Sequence, residues 1–328
     1  MRIGILSAGG DCPGINATIR GVGKSALTHF GMEVIGIKSG FSGLLEKDYL
    51  PLGDDALSGL LSLGGTILGT SREKPFKSPE GVPNEKPRII AENYRQLGLD
   101  CLVCIGGNGT QKTAYKLSQL GLNVIGIPKT IDNDVWGTDI TFGFYTAVDI
   151  ATEAIDRLHS TASSHKRVMI IELMGHKAGW ITLYAGMAGG ADVILIPELG
   201  YDLKKVNQAI LRRVEKGKPY SIVAVCEGLD INDKRIEYET GIETRKTTLG
   251  YVQRGGSPSA FDRNLSTRLG GHATELIVGG QFNRMVCVHD DKITSIPLAE
   301  VAGKARLVTP DHDLIVQGKR MGISFGIE

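Results

Sequence analysis

Short runs of β-branched and other apolar residues alternate along the 328-residue chain with longer stretches of helical periodicity. RIGILS (2–7), EVIGIK (33–38), CLVCI (101–105), NVIGIP (123–128), RVMIIEL (167–173), DVILIP (192–197) and YSIVAVCE (220–227) predict strands. NATIRGVGKSALTHF (16–30) and TAVDIATEAIDRLHST (146–161) carry apolar positions at helical spacing. Strands that are apolar on both faces and separated by helices predict an α/β fold with mainly parallel sheets, covered on both sides. Ligands of such sheets sit at the carboxyl ends of strands. The pattern restarts near residue 140, which predicts two similar lobes with the active site in a cleft between them.

Composition sharpens this picture at one point. The 44 glycines are roughly twice the usual share, while the apolar fraction of 41% is ordinary. The excess therefore belongs to functional turns. A formal net charge of +1 gives no electrostatic support for nucleic acid or an anionic membrane as partner, and leaves a locally held small anion open. The five cysteines, Cys12, Cys101, Cys104, Cys226 and Cys287, are odd in number, scattered and mostly in apolar runs, as reduced buried thiols are. With a strand at the first residues and no apolar run of membrane length, a cytoplasmic location is expected.

Candidate chemistry follows the strands. Gly9, Gly10 and Gly14 come after the first strand and ahead of a helix, and GGNGT (106–110) repeats the arrangement after CLVCI. Glycine lets backbone N–H groups approach an anion, and a helix N-terminus adds partial positive charge. Two such turns predict a polyphosphate ligand, although neither fits GxxxxGK[ST] or GxGxxG. PKTIDNDVWGTD then gathers Asp132, Asp134 and Asp139. Carboxylates so placed are costly without a cation or a shared proton, so a magnesium ion and a general base are the expected occupants.

The motifs GGDCPGINA (9–17), GGTILGTSR (64–72), GGNGT (106–110), PKTIDND (128–134), SSHKR (163–167), MGHKAGW (174–180) and LGYVQRGGSPSAFDR (249–263) together resemble the bacterial 6-phosphofructokinases. The resemblance implies two Rossmann-like lobes: a phosphoryl-donor lobe of residues 1–140 plus about 255–303, and a fructose 6-phosphate lobe of residues 141–254 plus about 304–328. It makes Asp132 the base for the sugar 1-hydroxyl, places Asp134 and Asn108 by the magnesium, and has Thr130 orient the reacting phosphate. Gly10, Arg72, Gly107, Asn108, Gly109 and Thr110 would line the donor phosphates, and Phe41, Phe76 and Lys77 would flank the adenine nucleotide. Thr130, Asp132, Met174, Gly175, His176, Glu227, Tyr251 and Arg254 would hold fructose 6-phosphate. Arg167 and Arg245 would reach its 6-phosphate from a neighbouring subunit, which implies a homo-oligomer, usually a tetramer.

Departures from the family pattern bear on donor and regulation. Asn108 stands where an Asp is usual, His176 where an Arg is usual and Tyr251 where many relatives have His. A histidine is only partly protonated near neutrality, so its help to a phosphate fades as pH rises. In the family, glycine at the Gly109 position leaves room for the α-phosphate of ATP, whereas pyrophosphate users typically carry Asp there; Lys129 is in turn the residue usual in pyrophosphate users. We weight Gly109 more heavily, because a block at the α-phosphate is hard to circumvent while a lysine can fold aside. The expectation is an ATP-dependent enzyme with magnesium, with a reversible pyrophosphate-dependent enzyme as the alternative and a catalytically silent sugar-phosphate sensor behind both. Arg20, Lys24, Asp192, Lys216 and Lys218 match an effector pocket for ADP and phosphoenolpyruvate. His159 and the stretch near Asp54 replace two arginines expected there, so weak or no activation by ADP is expected.

Overall fold

The computed structural model describes residues 1–80 and 82–328. Its strands are β1 (Arg2–Ser7), β2 (Glu33–Ile37), β3 (Tyr49–Pro51), β4 (Cys101–Gly106), β5 (Val124–Pro128), β6 (Val168–Leu173), β7 (Val193–Leu195), β8 (Ser221–Cys226), β9 (Thr244–Thr248), β10 (Arg284–His289) and β11 (Lys292–Pro297). The chain forms two compact units. The first comprises Met1–Thr130, Asp134–Gly143 and Arg254–Ala305, the second Ile131–Asn133, Phe144–Gln253 and Arg306–Glu328.

The first unit is built on a seven-stranded sheet of order β11-β10-β5-β4-β1-β2-β3. Pairings from β10 to β2 are parallel, and β11 and β3 close the edges antiparallel. Every residue of β4 is buried, as a strand covered on both faces requires. Helix Ile15–Lys24, which follows β1, packs against helix Ala260–Val278 at unusually close range. A Cβ on Gly270 would lie 2.7 Å from the Val22 nitrogen and 2.9 Å from the Thr18 oxygen, and one on Gly21 would lie 3.0 Å from the Thr267 oxygen. Glycine on both faces is what allows that approach.

The second unit carries a four-stranded, wholly parallel sheet of order β7-β8-β6-β9. Val168, Ile170, Val193, Leu195, Val223 and Val225 pack beneath Val206 and Ile210 of helix Leu203–Glu215. The seven runs predicted as strands correspond to β1, β2, β4, β5, β6, β7 and β8. Of the others, β3, β9 and β11 lack a continuous apolar run, whereas β10 carries one, MVCV (285–288), that the predicted set omits. β9 reads TRKTT and is exposed at all but its first residue, since an edge strand needs no apolar outer face. The β10–β11 hairpin turns through Asp290 and Asp291, both at positive φ (48° and 61°), a turn suited to the twist of an antiparallel pair.

All five cysteines are free and buried. Burial pushes the Cys12 and Cys226 thiols up to about 12, and Cys104 higher still. Cys101 and Cys104 lie within β4 as core side chains. Among the described residues, no helix is long and apolar enough to cross a membrane.

Candidate active site

In the first unit three adjacent strands, β5, β4 and β1, release their carboxyl ends side by side, and the sheet order reverses at β1. Such a reversal is where open α/β sheets bind ligands. After β1, Gly9 adopts φ +86° and is tied to the GGTILGTSR loop from both sides: its N–H donates to Ser71 O at 3.0 Å, and Thr70 Oγ1 donates to its carbonyl at 2.7 Å. Arg72, the next residue, is exposed beside that turn. Over Gly10 lies the guanidinium of Arg254, so close that a Cβ on Gly10 would fall 2.2 Å from Nη2. Arg254 is held there by Asp11, with Nη2 3.0 Å from Oδ1 and Nε donating to the Asp11 carbonyl at 3.2 Å. An arginine expected to serve the sugar phosphate thus lies on the first glycine turn.

Past β4, Gly107 is the N-cap of helix Asn108–Ser118, and among the described residues no side chain caps its first turn. The opening N–H groups are left for a ligand or water. A Cβ added to Gly109 would meet no described atom within 4 Å, so the residue faces open space. Thr110 Oγ1 reaches back to Ala8 O at 3.4 Å, joining the second turn to the first.

β5 leads into Lys129, which is 3% exposed and donates Nζ to the Gly10 carbonyl. The lysine is therefore folded against the first turn. Thr141 Oγ1 donates to the Thr130 carbonyl at 2.7 Å. Asp132 and Asn133 follow in the second unit, and Asp134 returns to the first. There Asn108 Nδ2 donates to Asp134 Oδ2 at 2.9 Å and to the Asp134 carbonyl at 3.1 Å. Asn108 Oδ1 is buried with no hydrogen-bond partner among the described residues. A buried, unsatisfied amide oxygen beside a carboxylate fits a hard divalent cation such as magnesium, which takes oxygen ligands.

Asp139 does not share this position. Its Oδ2 accepts from the Asp290 N–H at 2.9 Å and lies 3.6 Å from His289 Nδ1, so its carboxylate belongs to the β10–β11 turn. Phe41, expected beside an adenine, is 2% exposed and packs in the core cluster of the first unit. Its ring is committed to the fold. Phe76 is half-buried against the same cluster under the Lys116 ammonium, and Lys77 is exposed in the turn beyond it.

In the second unit the carboxyl ends of β8 and β6 form one arrangement. Glu227 Oε1 accepts from the Gly175 N–H at 3.2 Å and the His176 N–H at 2.7 Å, and Met174 N donates to Gln253 Oε1 at 2.9 Å. Gly175 (φ +155°) and His176 (φ +54°) bend sharply enough to present two successive N–H groups to one carboxylate. Arg167 and Arg245 converge on Glu243: Arg167 Nε lies 2.5 Å from Oε2, and Arg245 Nη2 contacts Oε1. The Arg167 hydrogen bond holds the Glu243 carboxyl below its usual range, and the Arg245 charge adds to this. Tyr251, 73% exposed, sits in the short helix Gly250–Gln253.

Two of the residues matched to an effector pocket, Lys24 and Asp192, are occupied by internal pairs. Lys24 bonds Asp54, and Asp192 bonds Arg213 at 2.6 Å while also accepting from the Ile222 N–H. Burial raises the Asp192 carboxyl in spite of both contacts. Arg20 is half-buried, and Lys216 and Lys218 are exposed.

Asp11, Glu243, Gln253 and Arg213 escaped the sequence reading. Each acts by holding another site residue, and such a role has no residue-type signature. Only the position of Glu243, two residues before Arg245, hints at its partnership.

A family model described as Phosphofructokinase matches residues 2–277. The chain is 66% identical to a Bacteroides thetaiotaomicron protein named ATP-dependent 6-phosphofructokinase 3, over 99% of this chain and 100% of that one. It is 44% identical to a Streptomyces coelicolor protein named pyrophosphate–fructose 6-phosphate 1-phosphotransferase, over 99% of this chain and all of that one. Among solved structures, phosphofructokinase from Saccharomyces cerevisiae matches with a TM-score of 0.83 at 32% identity, covering 92% of this chain and 45% of the yeast chain.

Proposed function

The chain belongs to the phosphofructokinase family, and from that premise we propose that it transfers the terminal phosphoryl group of ATP to the 1-hydroxyl of fructose 6-phosphate. The products are fructose 1,6-bisphosphate and ADP, the glycolytic step. The observation that carries ATP as donor is the open space at Gly109, on the first turn of a helix whose N-terminus has no side-chain cap.

Asp132 takes the proton of the 1-hydroxyl as that oxygen attacks the γ-phosphorus. The bond from phosphorus to the β–γ bridging oxygen breaks and ADP leaves. Phosphoryl transfer asks chiefly for positioning and charge neutralisation. The N–H groups of Gly107–Thr110 and the turn at Gly10 cradle the donor phosphates, with Arg72 following the charge that spreads over the transferring oxygens and Thr130 orienting the group. Asp134 and Asn108 would hold magnesium, which supplies neutralisation of the phosphate oxygens when bound. Met174, Gly175, His176 and Glu227 hold the sugar, Arg254 and Tyr251 assist, and Arg167 with Arg245 take the 6-phosphate of a neighbouring subunit's substrate. That sharing requires a homo-oligomer, which we take to be a tetramer, and the glycolytic step places the enzyme in the cytoplasm.

The second reading, pyrophosphate as donor, draws on Lys129 and on the Streptomyces relative. Lys129, though, is turned onto the Gly10 carbonyl, where it leaves the space at Gly109 unfilled. The Asp132→Asn variant tests the enzymatic reading. Turnover should fall by about 10²-fold or more while calorimetric binding of fructose 6-phosphate is kept; unchanged turnover would remove Asp132 as the base.

A further inference from the structure

The loop that carries Asp132 is held in an uncommon conformation. Asn133 has φ +51° and is 3% exposed. Left-handed backbone costs most residues with a Cβ about 1–2 kcal/mol and asparagine less, since its side chain can bond locally; a buried residue holds it where the surroundings support it. One enforcing contact comes from the carboxyl-terminal segment of the same unit: Arg306 Nη1 donates to the Asn133 carbonyl at 3.3 Å.

Arg306 is itself clamped. Its guanidinium carbon lies 4.0 Å from the centroid of the Trp180 ring, well inside cation–π range. The indole Nε1 donates to the Arg306 carbonyl at 3.1 Å, so one side chain grips both the head group and the backbone of the arginine. Two residues on, Val308 N donates to Glu198 Oε1 at 3.0 Å, and the same carboxylate accepts from the Gly179 N–H at 2.9 and 3.1 Å. Gly179 is the N-cap of the helix that begins at Trp180. His312 lies edge-on to the Trp180 ring at 5.3 Å and completes the packing. MGHKAGW, the sugar loop, ends on this indole, so a single side chain joins the sugar loop to the support of the Asp132 loop.

We propose that Arg306, fixed on Trp180, is a positioning residue for phosphoryl transfer: it anchors the Asn133 carbonyl and thereby sets the direction of the neighbouring Asp132 carboxylate. It acts through the loop backbone and not by contact with sugar or donor. The inference rests on the phosphofructokinase reading above. A planar donor stacked on an indole is suited to this role, because the stack removes the freedom that a long side chain would otherwise keep.

The test uses the full-length protein with fructose 6-phosphate and magnesium, ATP and pyrophosphate being run in parallel. Arg306→Met keeps the aliphatic stem and removes the donor. Its kcat should fall by about 10- to 100-fold, as small misplacements of a reacting group do, with KM for fructose 6-phosphate within about 3-fold of the parent. Arg306→Lys should recover part of kcat, since an ammonium can still donate to a carbonyl. Trp180→Phe, which keeps an aromatic ring and loses the indole N–H, should show a smaller kcat loss with KM unchanged, and it decides the matter if Arg306→Met does not fold. An Arg306→Met kcat within 2-fold of the parent would overturn the proposal, as would a loss shared equally by KM and melting temperature that lysine does not repair. A parent protein inert with both donors would overturn the reading of the reaction and the positioning role with it, a failure visible before any substitution.

Discussion

Gly109→Asp places the proposed donor selectivity on a single side chain. In the free protein the substitution has room, since a Cβ at 109 meets no described atom within 4 Å. The position lies in the first turn of helix Asn108–Ser118, where replacing glycine by aspartate favours the helix by about 0.2 kcal/mol and the carboxylate gains about 0.3–1 kcal/mol from the helix dipole. The variant should therefore melt at or slightly above the parent temperature. Binding is affected in the opposite sense. A carboxylate about 4 Å from an α-phosphate charge is repelled by about 4 kcal/mol at an effective dielectric of 20, which is about 10³-fold and falls toward 10²-fold with screening. Steady-state kinetics with ATP varied at saturating fructose 6-phosphate should thus show kcat/KM for ATP lowered by about 10²- to 10³-fold, with thermal stability kept. An ATP kcat/KM within 3-fold of the parent would refute the assignment of that space to the α-phosphate.

Other substitutions and conditions probe the supports of the site. Gln253→Leu leaves the Met174 N–H without the acceptor it has at 2.9 Å; urea denaturation should show a loss of about 1–3 kcal/mol, and KM for fructose 6-phosphate should rise. His312 is held below its ordinary 6.5, first by burial and then by the Arg306 charge. The unfolded chain therefore binds a proton that the folded one refuses between the folded value and 6.5. Its stabilising contribution is full above about 6.5 and is lost as pH falls. Melting temperatures at pH 7.5 and 5.5 should diverge less in His312→Asn, which can still cap the helix it begins. With Lys24 and Asp192 already paired to Asp54 and Arg213, ADP should leave the fructose 6-phosphate saturation curve unchanged, and a sigmoidal curve that ADP makes hyperbolic would contradict this.

The sheet interiors were legible because a strand buried on both faces carries an unbroken apolar run, as IGIL of β1, CLVCI of β4, VIGI of β5, VMII of β6 and IVAVC of β8 do. The glycine turns were legible because backbone approach to an anion excludes side chains. β9 was not, since an edge strand with solvent on its side chains carries no hydrophobic period. Nor could an isolated Arg306 be told from a surface charge: its meaning arises from Asn133, 173 residues away, and from an indole that sequence reading places only within a motif. Phe41 shows the converse, a residue matched to a ligand position that the fold uses as core. Spacing groups Asp139 with Asp132 and Asp134, yet its carboxylate serves a hairpin turn.

The donor is the point on which Gly109 and Lys129 disagree, and one measurement separates them: initial velocity with fructose 6-phosphate and magnesium, ATP and pyrophosphate being supplied in parallel at matched concentrations. Turnover with ATP and little or none with pyrophosphate is the predicted result. Faster turnover with pyrophosphate would mean that Lys129 outweighs the open space at Gly109, and would contradict the proposed reaction.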